Sequence, residues 1–161
     1  MRGIKQDIAI QVTKKTKAGD VCLREIEKLV ETVCRRFNTP KTTVSIVLAG
    51  DARMRRMNKQ FLNRNRSTDC LSFDLSDNTE EKLFELIINA ERARKEAKQR
   101  GHSFNAELAL YITHALLHNL GFDDSCPDLA EQMHCTENRI LKQLGYGFAY
   151  NDSPSGSRKK G

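Results

Sequence analysis

The sequence predicts a single small α/β (α+β) domain: about four strands of a mixed sheet packed by about five helices. Three observations carry this. Runs of apolar alternation or β-branched content take turns along the chain with runs spaced by three and four, the signature of strands interleaved with helices. The chain has 161 residues, the size of one domain by the usual range of roughly 100–200 residues. Hydrophobic residues make up 39% of it, enough for one sizeable core. No apolar run approaches the roughly 18–20 residues that a membrane span needs. The expected domain runs over 1–150.

Ile8, Ile10 and Val12 alternate with polar neighbours and form a first strand. From Val21 to Phe37 the apolar positions Cys22, Ile26, Leu29, Val33 and Phe37 recur at helical steps, with Asp20 as the expected N-cap. Thr39-Pro40 breaks that helix. Thr43 to Ala49 (TVSIVLA) is a β-branched strand bounded by Gly50-Asp51. A short basic helix follows from about Ala52 to Phe61, with Met54, Met57 and Phe61 expected on its inner face. Asn63 to Ser67 is a polar loop. Cys70 to Leu75 and Leu83 to Ile88 are strands joined by SDNTEE. Glu91 to Arg100 is strongly helix-forming and ends at Gly101. Asn105 is the expected cap of a helix from Ala106 to Asn119, which stops at Gly121. Pro127 opens a last helix carrying Leu129, Met133, Ile140, Leu141 and Leu144. Residues 151–161 (NDSPSGSRKKG) have no core-forming content, and a disordered basic tail is expected there.

The N-terminal MRGIKQDIAIQV lacks the continuous apolar stretch of a secretory signal. Five scattered cysteines without CxxC spacing read as reduced thiols, so a cytoplasmic location is expected. The net charge of +6 is only mildly basic, but the basic residues are unevenly placed. Arg53, Arg55, Arg56, Lys59, Arg64 and Arg66 follow one another with no acid between Asp51 and Asp69. Such a run is either a solvated helix face or a patch that contacts nucleic-acid phosphates.

Chemistry concentrates in THALLHNLGFDDS, residues 113–125. His114 and His118 stand one helical turn apart and can aim two imidazole nitrogens at one point. The helix then stops at Gly121, after which Asp123 or Asp124 can return a carboxylate to the same point. Two nitrogens and an oxygen with a position left open is the pattern of a catalytic zinc site rather than a closed structural one. Cys126, Cys135, His102 and His134 are rival ligands. The place between the histidines that holds the general base of an H-E-x-x-H protease holds Ala115. A peptidase mechanism of that type is disfavoured, and the base, if one is used, comes from elsewhere in the chain.

HALLHNLGFDD resembles the H-G-x-L-H-L-x-G-Y-D-H signature of the YbeY family, endoribonucleases that act in ribosomal RNA maturation. Upstream, STDCLSF at 67–73 is similar to the family's P-T-D-V-L-S-F, and ELIINAERA at 85–93 to its strand running into a helix. The resemblance covers roughly residues 43–146. Its register puts the family's third metal-binding histidine on Asp124, giving an expected set of His114, His118 and Asp124 around one zinc ion at the end of a central helix. The family's glycine after the first histidine is Ala115, and the glycine of its G-[DE]-I is Phe84. An arginine that the family often carries six residues before the threonine falls on Leu62, with Arg64 or Arg66 as its expected replacement. Thr68 and Asp69 read equally as a turn into the strand.

The resemblance implies a single-strand-specific, zinc-dependent endoribonuclease in small-subunit ribosomal RNA 3′ end maturation and ribosome biogenesis or quality control. A ribosomal subunit or ribosomal protein is a further implied partner. Water activated at His114, His118 and Asp124 would do the chemistry, with the arginines at 53–66 holding the RNA backbone. The alternatives are a non-catalytic assembly factor with a structural metal, and a metal-dependent hydrolase of small molecules.

Overall fold

The computed structural model describes residues 7–17 and 19–146; the tail expected at 151–161 lies outside them. In chain order the elements are Ile8–Lys14 (β1), Leu23–Arg36 (α1), Lys41–Ala49 (β2), Asp51–Leu62 (α2), Cys70–Asp74 (β3), Glu81–Asn89 (β4), Ala90–Arg100 (α3), Phe104–Asn119 (α4) and Pro127–Gln143 (α5). The strands form one sheet in the order β1-β2-β4-β3. β1, β2 and β4 run parallel, and β3 closes one edge antiparallel to β4. The expected mixed four-stranded sheet with five helices is the observed architecture.

The period-two side-chain alternation of a strand splits β2 and β4 between two cores. Val44, Ile46 and Leu48, with Phe84, Leu86 and Ile88, face the main core beside α1, α4 and α5. Ala49 and Ile87 face a smaller core with Leu71 and Met54 of α2. Eleven residues of α4 are buried, Ala106 to Thr113 and Ala115 to Leu117. A helix apolar on nearly every face belongs inside the fold, and this one carries both histidines of the site.

Three expectations are corrected. Asp20 does not cap α1: the N-cap is Cys22, whose side chain makes no capping bond. Asn105 does not cap α4 either. Ser103 does, its Oγ accepting from the Ala106 N–H at 3.0 Å. Asn105 instead reaches the start of α1, accepting from Cys22 N–H at 3.2 Å and donating to the Asp20 carbonyl at 3.1 Å. One amide thereby joins the openings of two helices distant in sequence. Finally, Phe61 is 52% exposed; its ring stands edge-on to Phe73 of the edge strand β3, centroids 5.4 Å apart. Leu129 of α5 also stands at the surface, 37% exposed.

Candidate metal centre and its cavity

α4 ends in a Schellman turn: Phe122 N–H donates to the Leu117 carbonyl at 2.9 Å and Gly121 N–H to the His118 carbonyl at 3.1 Å. Gly121 takes φ +103°, a conformation side chains resist and glycine does not. The turn sends the chain back over the last turn of the helix and sets Asp124 beside the histidines. His114 Nε2 and His118 Nε2 stand 3.2 Å apart. Asp124 Oδ2 lies 3.5 Å from the first and 3.6 Å from the second. Asp123 is turned away, its carboxylate accepting from the backbone and hydroxyl of Ser125 at 3.0 and 2.7 Å. The sequence left these two acids open; the geometry brings Asp124 to the histidines.

The three atoms fit a metal ion. Ligands at about 2.1 Å around a tetrahedral zinc stand about 3.4 Å from one another, and the observed edges of 3.2, 3.5 and 3.6 Å bracket that value. Both rings are already turned for the task. His118 Nδ1 donates to the Phe122 carbonyl at 3.2 Å, and His114 Nδ1 meets Glu137 Oε2 of α5 at 2.5 Å. Each Nδ1 is therefore occupied, and each Nε2 points to the shared position, the arrangement by which outer partners fix a ligand's tautomer and raise its basicity.

Glu137 is fully buried, and its second oxygen, Oε1, has no hydrogen-bond partner among the described residues. A buried carboxylate with half its acceptors unmet needs a positive countercharge. Burial alone would push the His114 imidazole down. The hydrogen bond and charge of Glu137, with Asp69 and Asp124, outweigh it and raise the ring above its ordinary value. A cation on Nε2 can take the place of that proton.

A cavity of about 800 Å³ opens onto the triad. Its lining brings together the loop before β3 (Arg64, Arg66, Ser67, Thr68, Asp69), one face of α3 (Arg92, Glu96, Arg100) and Leu110, Tyr111, His114 and His118 of α4. Of the six basic residues predicted to contact RNA, Arg64 and Arg66 line this cavity, as does Leu62. Arg53, Arg55, Arg56 and Lys59 do not; they are exposed on α2, and Arg55 pairs with Asp51 at 3.6 Å. Of the rival ligands, His134 lines the cavity, His102 pairs with Glu107 at 2.5 Å, and Cys126 and Cys135 are exposed. None of the four joins the three-residue group.

The loop is held by two buried amides. Asn58 donates to the Arg66 carbonyl at 2.8 Å. Asn89 donates to Asp51 Oδ1, Ser67 Oγ and the Thr68 carbonyl at 3.1, 3.2 and 3.1 Å, while its own oxygen caps α3 through Arg92 N–H at 2.9 Å. Bonds from Ser67 and Asn89 lower the Asp51 carboxyl below its usual range. Arg64 and Arg66 thus ride on a loop anchored to the sheet rather than on a free segment.

Sequence reading missed Glu137, Arg92 and Arg100. Glu137 carried a legible signal, since it stands at helical spacing between Met133 and Ile140 and Leu141, an acid on a core-facing stripe. Arg92, Glu96 and Arg100 recur every four residues beside the buried Ala93 and Ala97, forming one polar stripe of α3.

A family model described as Endoribonuclease YbeY matches residues 9–145. The Endoribonuclease YbeY of Geobacter sulfurreducens is 30% identical over 145 residues, 86% of this chain and 97% of that protein. That of an Anaeromyxobacter species is 35% identical over 140 residues, covering 86% of this chain and 73% of the relative. Among solved structures, the solution structure of a Thermotoga maritima protein is similar at a TM-score of 0.56 and 20% identity. It covers 84% of this chain and 88% of that one, a likeness of fold.

Proposed function

This chain belongs to the YbeY endoribonuclease family, and on that premise we propose that it is a zinc-dependent endoribonuclease specific for single-stranded RNA. Its substrate is ribosomal RNA at the 3′ end of the small-subunit transcript, met in the cytoplasm during ribosome biogenesis. The observation that carries this reading is the cavity itself, which holds a fitted ligand triangle at one end and arginines on its walls. Among the described residues no helix is long and apolar enough to cross a membrane.

Zinc held by His114, His118 and Asp124 would supply Lewis acidity, polarising a phosphoryl oxygen and making water acidic. The chain's own residues do the rest. Glu137 and the Phe122 carbonyl keep both imidazoles in the ligating tautomer. Arg64 and Arg66 offset the charge of the phosphodiester at the cavity wall. The exposed arginines of α2 extend that hold along the strand outside the cavity. Asp69 is the carboxylate that lines the cavity outside the triad and outside the arginine pairs of α3. It receives the proton of the attacking water at its carboxylate oxygen.

Cleavage of a single-stranded RNA carrying the 3′ end of the small-subunit transcript tests the proposal, with the same RNA in duplex as control. The expected result is endonucleolytic cleavage of the single strand only, abolished by chelator, restored by zinc and weakening steeply with salt. Stoichiometric metal with no turnover would favour an assembly factor. Salt-independent hydrolysis of small phosphodiesters alone would favour the small-molecule hydrolase.

A further inference from the structure

The cavity has a second polar wall that the triad and the loop arginines leave unused. Arg92, Glu96 and Arg100 line it from α3, and they differ in one respect. Arg100 is neutralised twice, by Glu96 at 3.0 Å and by fully buried Glu107 at 2.9 Å. The Arg92 guanidinium makes no ion pair or hydrogen bond among the described residues, although its own N–H is satisfied by Asn89. It is the cationic group on this wall with its charge still to be met.

Facing it is Tyr111, one turn before His114 on the same side of α4 and also in the lining. Tyr111 is 95% buried, being 5% exposed. Its hydroxyl has no hydrogen-bond partner among the described residues. The ring is buried while its hydroxyl opens onto the cavity, so a tyrosine oxygen with no protein partner is free to meet a ligand oxygen or water there. Burial, with Glu107, Asp69 and Glu96, pushes this phenol far above its ordinary range, while Arg92 pulls the other way. The hydroxyl is therefore a neutral donor at every working pH, and the Arg92 charge is felt at it. Asp69 and Glu96 are the nearby acids. Glu96 is occupied by Arg100, and Asp69 accepts from the Thr68 hydroxyl at 3.3 Å.

We propose that Arg92 and Tyr111 form an anion subsite that holds a phosphate of the RNA backbone adjacent to the one at the triad. The guanidinium offers two parallel donors to the phosphate oxygens, and the Tyr111 hydroxyl donates to a third. Tyr111 stands three residues, about 4.5 Å along the axis, before His114 on α4, so the subsite and the triad address neighbouring linkages of one strand. Substrate lying between Arg64 and Arg66 on one wall and Arg92 on the other is held on both sides. This inference rests on the RNA reading above and deepens it.

Steady-state cleavage of single-stranded RNA across a salt series tests it, with wild type, Arg92→Ala, Arg92→Lys and Tyr111→Phe in the zinc-loaded form. Arg92 is exposed on a helix, so replacing it leaves the fold intact. Arg92→Ala is expected to raise KM about 10–100-fold, the loss of one charge-assisted bond, and to flatten the salt slope of binding by about one. Its kcat and metal content stay at the wild-type values. Arg92→Lys keeps the slope and recovers part of KM, because the charge remains and the fork is lost. Tyr111→Phe raises KM about 2–10-fold with no change in slope. An unchanged KM and slope in Arg92→Ala, with wild type still binding RNA salt-dependently, overturns the subsite alone. No salt-dependent RNA binding by wild type overturns the RNA reading, and the subsite falls with it.

Discussion

Glu137→Gln separates two roles that a buried acid beside a metal ligand can play. The substitution keeps the volume and removes the charge. In the native protein Glu137 Oε2 meets His114 Nδ1 at 2.5 Å, and Oε1 has no donor among the described residues. A hydrogen bond to a charged group contributes about 1.5–3 kcal/mol and a neutral one about 0.5–1.5 kcal/mol. The His114 ring as ligand therefore loses about 1–1.5 kcal/mol of support, close to a tenfold loss of zinc affinity. Without metal the sign changes, because a buried charge with one unmet oxygen becomes a neutral amide. At alkaline pH, where the raised His114 ring has lost its proton, the native carboxylate has no cationic partner, so the replacement removes a costly buried charge. Competition titration against a chromogenic chelator should show zinc binding about tenfold weaker, while the thermal midpoint of metal-free protein at alkaline pH stays level or rises. Unchanged affinity would refute the orienting role. An affinity loss matched by an equal loss of metal-free stability would show that Glu137 only holds α5 to α4.

Other perturbations address the scaffold and the chemistry. Asn89→Ala removes a helix cap worth about 1 kcal/mol and buried donors to Asp51, Ser67 and Thr68; a loss of about 2–4 kcal/mol in urea unfolding is expected. Less than about 0.5 kcal/mol would show the loop is held otherwise. Gly121→Ala forces a side chain into φ +103°. It should cost about 1–2 kcal/mol and weaken zinc binding through displacement of Asp124; wild-type affinity would sever the turn from the site. Asp69→Asn should retain full metal content and lower kcat by about 10²–10⁴ with little change in KM. Wild-type kcat in that variant would remove Asp69 as the base.

What the sequence made legible is what depends on neighbours along the chain. The strands and helices follow from alternation and three-four spacing, and the same element order stands in the structure. The ligand set was legible for the same reason: His-x3-His, a glycine stop and two acids are one continuous stretch. The failures lie where a distant partner decides. Asn105 has the chemistry of a cap, but Cys22 and Asp20, more than eighty positions earlier, claim its side chain. Phe61 continues the apolar spacing of Met54 and Met57, but its place against Phe73 on the edge strand β3 leaves it half exposed. Spacing alone gave Asp123 and Asp124 equal standing; Ser125 separates them in three dimensions by binding the first. Arg92 belongs to the cavity, and Glu137 to the back of His114, only because α3 and α5 both pack on α4.

The most direct test of the central claim is elemental analysis of purified protein, wild type beside Asp124→Ala, with RNA cleavage measured on the same samples. About one zinc per chain in wild type is expected for a single site, lost from the variant together with cleavage. A metal-free wild type that still cleaves RNA, or an Asp124→Ala variant that keeps its full complement of zinc, would contradict the site.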